Sequence, residues 1–262
     1  RKWNLSNPTK IAETFTSHVF KVSYQNRVAV LKVLTIVGQK HEAKGPVVLR
    51  CFAGNGAVRL LDADEGAHLL EFVDGRHLKD LVANSGDEKA TEIICDVLNQ
   101  IHSYAGAKPS DLISMTENFR GLFARAKIDP PDSIFSSGAK VALRLIETER
   151  DPRVLHGDIH HKNILESTDR GWLAIDPQCL YGERTYDVAN SFFNPDDMPD
   201  LVETPNRIER CCQIFSRRLN LDSKRILEFA FAYGCLSSAW CIEDGHNPER
   251  RLRITRLIQD LL

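Results

Sequence analysis

The amino-acid sequence predicts an α+β fold, with a small antiparallel sheet in an N-terminal lobe and a larger, mainly helical C-terminal lobe. Strand-like segments are concentrated before Asp74-Gly75. After that dipeptide, most apolar residues recur at the spacing of an α-helix. A short strand pair is expected to interrupt the helices between residues 154 and 175. We therefore divide the chain into residues 1–73 and residues 74–262.

The N-terminal lobe is predicted to begin with a β-hairpin. Residues 19–24 and 28–34 are rich in β-branched and aromatic side chains, and they flank a polar turn at residues 25–27. One helix is expected at about residues 40–52, followed by a glycine turn at residues 54–56. Two further strands are expected at residues 57–61 and 68–73. This lobe should therefore be a small sheet that carries one helix.

Helical spacing dominates the remainder of the chain. Between residues 90 and 104, Ile93, Val97 and Ile101 fall on one face of a helix. Short apolar runs at residues 163–165 and 172–175, joined by a turn-rich segment, predict a hairpin within this lobe. The other expected helices lie at about residues 112–126, 138–148, 205–219, 223–240 and 248–261.

The composition is typical of a folded globular protein and excludes several classes. Of the 262 residues, 42% are hydrophobic and 27% are charged. The net charge is -2 and no basic stripe is present, so we expect no nucleic-acid partner. The most apolar run, residues 226–242, is interrupted by polar residues and is too short for a membrane span. The seven cysteines include no C-x-x-C pair, which favours reduced thiols in a cytoplasmic protein. We further expect a monomer.

The segment between residues 154 and 165 concentrates the polar side chains that suggest chemistry. It contains His156, Asp158 and Asn163, and Asp176 follows the second strand of the expected hairpin. The hairpin should bring Asn163 and Asp176 to one end of two paired strands. Amide and carboxylate oxygens suit Mg²⁺, which binds through few protein ligands together with substrate phosphates. Asp158 would then be available to orient and deprotonate an attacking hydroxyl group.

These motifs resemble those of the protein-kinase-like small-molecule phosphotransferases. The catalytic-loop pattern reads His156-Gly-Asp158-x-x-x-x-Asn163, and the metal-binding aspartate stands in Ile-Asp176-Pro. Further matches at residues 171–177, 182–189 and 233–240 are similar to streptomycin 6-phosphotransferases and the related aminoglycoside/hydroxyurea resistance kinases. The resemblance extends from about Ile11 to Trp240. It implies a bilobal protein-kinase-like fold, with residues 1–73 binding nucleotide and residues 74–262 holding the catalytic loop and the acceptor.

The resemblance also implies an activity: transfer of the γ-phosphoryl group of ATP or GTP, with Mg²⁺, to a hydroxyl group of a cationic aminoglycoside, giving antibiotic resistance. Streptomycin, phosphorylated at position 6, is the expected acceptor. Asp158 would be the base, Asn163 and Asp176 the metal ligands, and Asp187 a brace for the catalytic loop. The expected nucleotide-binding residues are Ser17, Lys32, Glu42, Glu71 and Val73, and the expected acceptor-binding residues are Asp197 and Glu243.

Three alternatives remain open at this point. The same chemistry could serve another acceptor, such as hydroxyurea, another aminoglycoside, a macrolide or a small metabolite. The chain could instead be a nucleotide-binding pseudokinase, although such a module has no need of the base Asp158. The histidines at positions 156, 160 and 161 could also belong to a di-zinc hydrolase. Their order, however, differs from the His-x-His-x-Asp-His pattern that those enzymes use.

Overall fold

Five antiparallel strands form the N-terminal sheet, in the order β1-β2-β3-β5-β4. The computed structural model describes residues 2–262, without the side chains of Lys40, His41 and Ser85. The predicted hairpin is confirmed as β2 and β3, in which Lys32 pairs with Val19 and, on the other side, with His68 of β5. The strands are β1 Ser6–Glu13, β2 Ser17–Tyr24, β3 Arg27–Leu34, β4 Leu60–Asp64 and β5 Ala67–Glu71.

Two short helices, rather than the single expected one, connect β3 to β4. They are α1, Ile36–His41, and α2, Gly45–Phe52. The hydroxyl of Thr35 caps α1 by accepting the Gly38 N–H at 3.1 Å. Pro46 lies in the first turn of α2, where its missing N–H costs nothing, so a new helix begins there. Glu42 therefore lies in the turn between the helices and not on a helix.

The segment before β4 connects the two lobes. The expected strand at residues 57–61 actually begins at Leu60, because the preceding residues bond to the C-terminal lobe. The Val58 N–H donates to the Ala174 carbonyl at 3.0 Å, and the Ala174 N–H donates to the Gly56 carbonyl at 2.8 Å. Ala57 and Val58 are buried at this junction.

The C-terminal lobe is mainly helical, as predicted. Its longest helix, α10, packs against α7 and α11 and is buried over most of its length, which explains its apolar sequence. Within residues 2–262, no helix has both the length and the hydropathy to cross a membrane. The helices are α3 Leu78–Ser85, α4 Asp87–Ile101, α5 Met115–Asn118, α6 Arg120–Ala126, α7 Ile134–Glu147, α8 Pro199–Val202, α9 Pro205–Leu219, α10 Ser223–Glu243 and α11 Glu249–Gln259.

Two small sheets carry the polar loop. The expected hairpin is confirmed as an antiparallel pair, and a three-stranded sheet, which the sequence analysis did not predict, flanks the loop. The loop contains a 3₁₀ turn at His161–Asn163, and a longer 3₁₀ segment covers Arg184–Phe193. The strands of the three-stranded sheet are β6 Ile113–Ser114, β7 Pro152–Leu155 and β10 Leu180–Glu183, and those of the hairpin are β8 Ile164–Ser167 and β9 Gly171–Ala174.

All seven cysteines are free thiols, and most of them are buried. Burial raises the pKa of Cys95 and of Cys179 to about 12, so both remain protonated and unreactive at neutral pH.

We predict that Arg225→Ala lowers the free energy of unfolding by about 3–5 kcal/mol, because it leaves the Glu183 carboxylate buried without its cation. The Arg225 guanidinium contacts both Glu183 oxygens, at 2.6 and 2.5 Å. Urea denaturation measures the change. Arg256→Ala is the matched control, since Arg256 and Glu249 form an exposed pair at 4.0 Å, and its effect should stay below about 1 kcal/mol. Equal effects of the two substitutions would contradict the prediction.

Candidate active site

The buried carboxylate of Asp187 fixes the backbone of the catalytic loop. Its oxygens accept the N–H groups of His156 at 3.0 Å and Gly157 at 2.7 Å, and His102 Nε2 lies 2.8 Å away. Gly157 has φ +81°, and a Cβ there would lie 2.8 Å from a Leu180 methyl carbon. Only glycine fits this position without strain. The predicted bracing role of Asp187 is confirmed.

His156 is part of the scaffold of this loop. It is fully buried; Nε2 donates to the Ile175 carbonyl at 2.8 Å, and Nδ1 accepts the Asp158 N–H at 3.3 Å. Burial lowers the pKa of His156, which keeps the imidazole neutral. Both ring nitrogens are thus occupied, and His156 has no nitrogen left for a metal. Among the residues that the structure describes, no cluster of three or more His, Cys, Asp or Glu side chains is arranged to hold a metal ion.

Two amide groups hold the side chain of Asp158. Oδ1 accepts a hydrogen bond from Asn190 Nδ2 at 2.7 Å, and Oδ2 accepts one from Asn163 Nδ2 at 3.1 Å. His160 Nε2 lies 3.7 Å from Oδ2. The sequence analysis missed Asn190, because its position three residues after Asp187 gave no sign that it reaches the catalytic loop.

Lys32 lies between two carboxylates. Its Nζ is 2.6 Å from Glu42 and 2.8 Å from Asp176. Burial disfavours the charge of Lys32, but Asp176 and Glu42 outweigh this effect and raise the pKa of Lys32 above its ordinary value. The lysine therefore stays charged at any physiological pH. His68 lies opposite Lys32 on the adjacent strand. Its burial, and to a smaller extent the charge of Lys32, lower the pKa of His68 to about 4, so His68 is neutral.

Asn163 and Asp176 line one cavity of about 140 Å³, together with Lys32, Glu42 and Asp158. Asp176 adopts a left-handed backbone conformation, φ +56°, directly after the β8–β9 hairpin. The amide nitrogen of Asn163 also donates to the Asp158 carbonyl at 3.0 Å, which leaves its amide oxygen for another partner. One amide oxygen and one carboxylate are a suitable protein donor set for Mg²⁺.

A second, larger cavity of about 330 Å³ extends from Lys32 toward the connection between the lobes. Its walls are largely apolar, and Glu71 and Val73 lie at its edge. The Glu71 side chain forms ion pairs with Arg170 and Arg59, and its backbone N–H donates to the Arg59 carbonyl at 3.0 Å, so a role for Glu71 in nucleotide binding stays a prediction. The size and lining suit a planar, mainly apolar ring system. The apolar lining residues are Ile11, Ala12, Val19, Val30, Val58, Leu70, Phe72, Val73, Leu165 and Ile175.

The loop between β1 and β2 covers this second cavity without any glycine. Thr14 Oγ1 accepts the N–H groups of Thr16 at 3.3 Å and Ser17 at 3.0 Å. The Ser17 hydroxyl is buried and lies 3.1 Å from Thr14 Oγ1. The backbone amide of Ser17 is thus already occupied, and a role for Ser17 in nucleotide binding stays a prediction.

Comparison with known proteins identifies the family. The model of the aminoglycoside/hydroxyurea antibiotic resistance kinases matches residues 2–245. The chain belongs to this family. It is 35% identical to a streptomycin 3″-kinase of Klebsiella pneumoniae, over 93% of this chain and 91% of that protein. It is 29% identical to a streptomycin 6-kinase of Streptomyces griseus, over 75% of this chain and 66% of that protein.

A solved structure confirms the kinase-like fold. A thermostable variant of the aminoglycoside phosphotransferase APH(4)-Ia, in a ternary complex with AMP-PNP and hygromycin B, superposes with a TM-score of 0.68 at 16% identity. The alignment covers 97% of this chain and 94% of that chain. The bilobal architecture predicted from the sequence is therefore correct, and the protein is a phosphotransferase of the kinase-like class.

The two acids that were expected to bind the acceptor have different surroundings in this kinase. Asp197 forms an ion pair with Lys79, and neighbouring Asp196 pairs with Lys162 at 2.6 Å. Glu243, at the end of α10, lines a surface groove of about 570 Å³ with Trp240. None of the residues that line this groove lines the cavity around Asp158. The acceptor roles of Asp197 and Glu243 stay predictions.

For Lys32→Ala we expect kcat/KM for the nucleotide to fall by about 10-fold to 100-fold, because the substitution removes the charged donor that is predicted to bind its phosphates. Initial-rate kinetics at varied nucleotide concentration measure this kcat/KM. Lys140→Ala, which changes an exposed lysine of α7, is the control and should behave like the unmodified kinase. If the two variants had the same kcat/KM, Lys32 would have no part in nucleotide binding.

Proposed function

We propose that this kinase transfers the γ-phosphoryl group of ATP to a hydroxyl group of streptomycin, with Asp158 as the base. The observation that carries the proposal is that the two cavities share part of their lining. Lys32, Asn163 and Asp176 line both the apolar cleft and the small cavity that contains Asp158. A nucleotide whose base lies in the cleft would therefore direct its phosphates toward Asp158.

The residues around Asp158 support transfer to a hydroxyl group. An Asp158 carboxylate oxygen would accept the proton as the acceptor oxygen forms a bond to the γ-phosphorus and the bond from that phosphorus to the β-phosphate oxygen breaks, releasing ADP. Lys32, held by Glu42 and Asp176, would bind the α- and β-phosphates and keep them in line. Most of the catalytic effect would then come from positioning and charge neutralisation.

Asn163 and Asp176 are the residues that would hold Mg²⁺ in this proposal. Bound there, the ion would supply positive charge against the phosphate oxygens. Both residues also line the apolar cleft, so the ion would lie beside the phosphates of a nucleotide bound there.

Similarity to the streptomycin kinases supports streptomycin as the acceptor. The relatives include a 3″-kinase and a 6-kinase, and the identity to the 3″-kinase is higher and covers more of both proteins. We therefore propose the 3″-hydroxyl as the first candidate position and the 6-hydroxyl, which the sequence analysis favoured, as the second. Hydroxyurea is the alternative acceptor, because the family description includes kinases that confer resistance to it.

Release of nucleoside diphosphate tests this function. The kinase is incubated with Mg²⁺ and ATP or GTP, and with streptomycin, hydroxyurea or other aminoglycosides. We expect streptomycin-dependent ADP release, and phosphorus–proton coupling in the product NMR spectrum identifies the phosphorylated hydroxyl. If ADP is released only with hydroxyurea, hydroxyurea is the acceptor. If no acceptor stimulates ADP release, the proposal is refuted.

Asp158→Asn should lower kcat by about 100-fold to 10,000-fold, since an amide cannot take up the acceptor proton. The KM for ATP should change little, because Asp158 lies beyond the phosphate-binding lysine. Steady-state kinetics separate the two constants, and a thermal unfolding curve shows whether the variant folds. Nearly full activity of this variant would exclude Asp158 as the base.

Asp197→Ala and Glu243→Ala test the acceptor site. If either carboxylate contacts a cationic group of streptomycin, its removal should raise the KM for streptomycin by about 2-fold to 5-fold, the effect of an exposed ion pair, and leave that for ATP unchanged. Asp132→Ala, which changes an exposed acid before α7, is the control. If a variant leaves the KM for streptomycin and the KM for ATP unchanged, the substituted residue does not take part in acceptor binding.

A further inference from the structure

The carboxylate of Asp158 is held from two sides, but only one of the two amides belongs to the catalytic loop. Asn163 reaches Oδ2 from within the loop, five residues along the chain. Asn190 reaches Oδ1 from the 3₁₀ segment Arg184–Phe193, thirty-two residues away. The bond from Asn190 is also the shorter of the two, 2.7 Å against 3.1 Å.

A second asparagine fixes which end of the Asn190 amide faces Asp158. Asn194 Nδ2 donates to the backbone carbonyl of Asn190 at 3.0 Å and to Asn190 Oδ1 at 2.9 Å. The backbone carbonyl can only accept, so the Asn194 nitrogen must lie on this side. Asn190 Oδ1 is therefore the acceptor of the Asn194 amide, and the Asn190 nitrogen must point at Asp158.

A buried arginine anchors the segment that carries both asparagines. Arg207 of α9 donates to the carbonyl groups of Asn194 at 2.7 Å and Phe192 at 3.1 Å. The same guanidinium makes a two-bond contact to Asp87, at 2.7 and 2.9 Å. Arg207 is fully buried, and Asn190 and Asn194 are almost fully buried. The backbone of residues 190–194 is thus tied to the helical core, and Asn190 has little freedom to turn away.

We propose that Asn190 is a positioning residue for phosphoryl transfer, which holds the Asp158 carboxylate in the orientation needed to accept the proton of the acceptor hydroxyl. This inference rests on the proposed role of Asp158 as the base. A neutral amide suits the task, because it donates to the ionised carboxylate and competes for no proton. An aspartate at position 190 would instead place a second negative charge against Asp158.

Asn190→Asp and Asn190→Ala test this role, with streptomycin as acceptor, by initial-rate kinetics that separate kcat from the KM values for ATP and streptomycin. Both substitutions remove the donor to Asp158, and Asn190→Asp keeps the shape of the side chain and the acceptor for Asn194. We expect kcat at pH 7 to fall by about 10-fold to 100-fold, more for Asn190→Asp, with the KM for ATP nearly unchanged.

Asn99→Asp is the matched control, since it adds the same charge on the exposed face of α4 and should leave kcat and the KM values unchanged. Asn190→Ser, whose hydroxyl can still donate, should retain more activity than Asn190→Ala, and it replaces Asn190→Asp if that protein does not fold. A thermal unfolding curve shows whether each variant folds.

The outcomes separate this inference from the proposed function. If Asp158→Asn is inactive while folded Asn190 variants keep the kcat of the unmodified kinase, the role of Asn190 is refuted and Asp158 remains the base. If Asp158→Asn retains nearly full activity, the base assignment fails, and the role of Asn190 fails with it. An equal fall in kcat for Asn190→Ser and Asn190→Ala, or a fall in kcat with a matching rise in the KM for ATP, would show that Asn190 is only structural.

Discussion

The hydrogen bonds of the Asp187 carboxylate are the constraint on which the geometry of the active site depends. They connect α4, through His102, to the two backbone amides that precede Asp158. Buried charged groups are costly unless every oxygen has partners, and here the partners are the N–H groups of a loop that would otherwise be irregular. The interaction therefore satisfies the carboxylate and fixes the loop at the same time. The position of Asp158 follows from it.

Charge balance is the second organising feature of the site. Lys32 lies between Glu42 and Asp176, one from the turn between two N-terminal helices and one from the end of the β8–β9 hairpin. The lysine thus bridges the two lobes electrostatically. His68 beside it is neutral and adds no second positive charge. A nucleotide would bring negative phosphates to this point, and Lys32 and the proposed metal would share their neutralisation. The backbone bonds between residues 56–58 and Ala174 hold the lobes at the distance at which this contact is possible.

The parts of the fold that the sequence analysis predicted well are those with a local cause. The hairpin of β2 and β3 and the helix α9 follow from alternation, helical spacing and Pro205 in a first helical turn. The chain was wrongly expected to form one helix over residues 40–52, because only the part from Pro46 onward has apolar residues at helical spacing, and a turn at residues 42–44 precedes it. The short strands β6, β7 and β10 were missed, since each has at most four residues and gains its stability from its neighbours in space.

By itself, the sequence determined which residues the proposed chemistry uses: Asp158 and Asn163 at their catalytic-loop spacing, the aspartate after the hairpin, and the strand lysine. These features lie in short, contiguous motifs whose spacing is visible without a fold. Only the tertiary structure decided that Glu42 reaches Lys32 from a turn, that Asn190 holds Asp158, and that Asp197 pairs with Lys79 while Glu243 lines a surface groove. Those contacts join residues far apart in the chain or depend on the course of the backbone between them, so packing alone sets their distances.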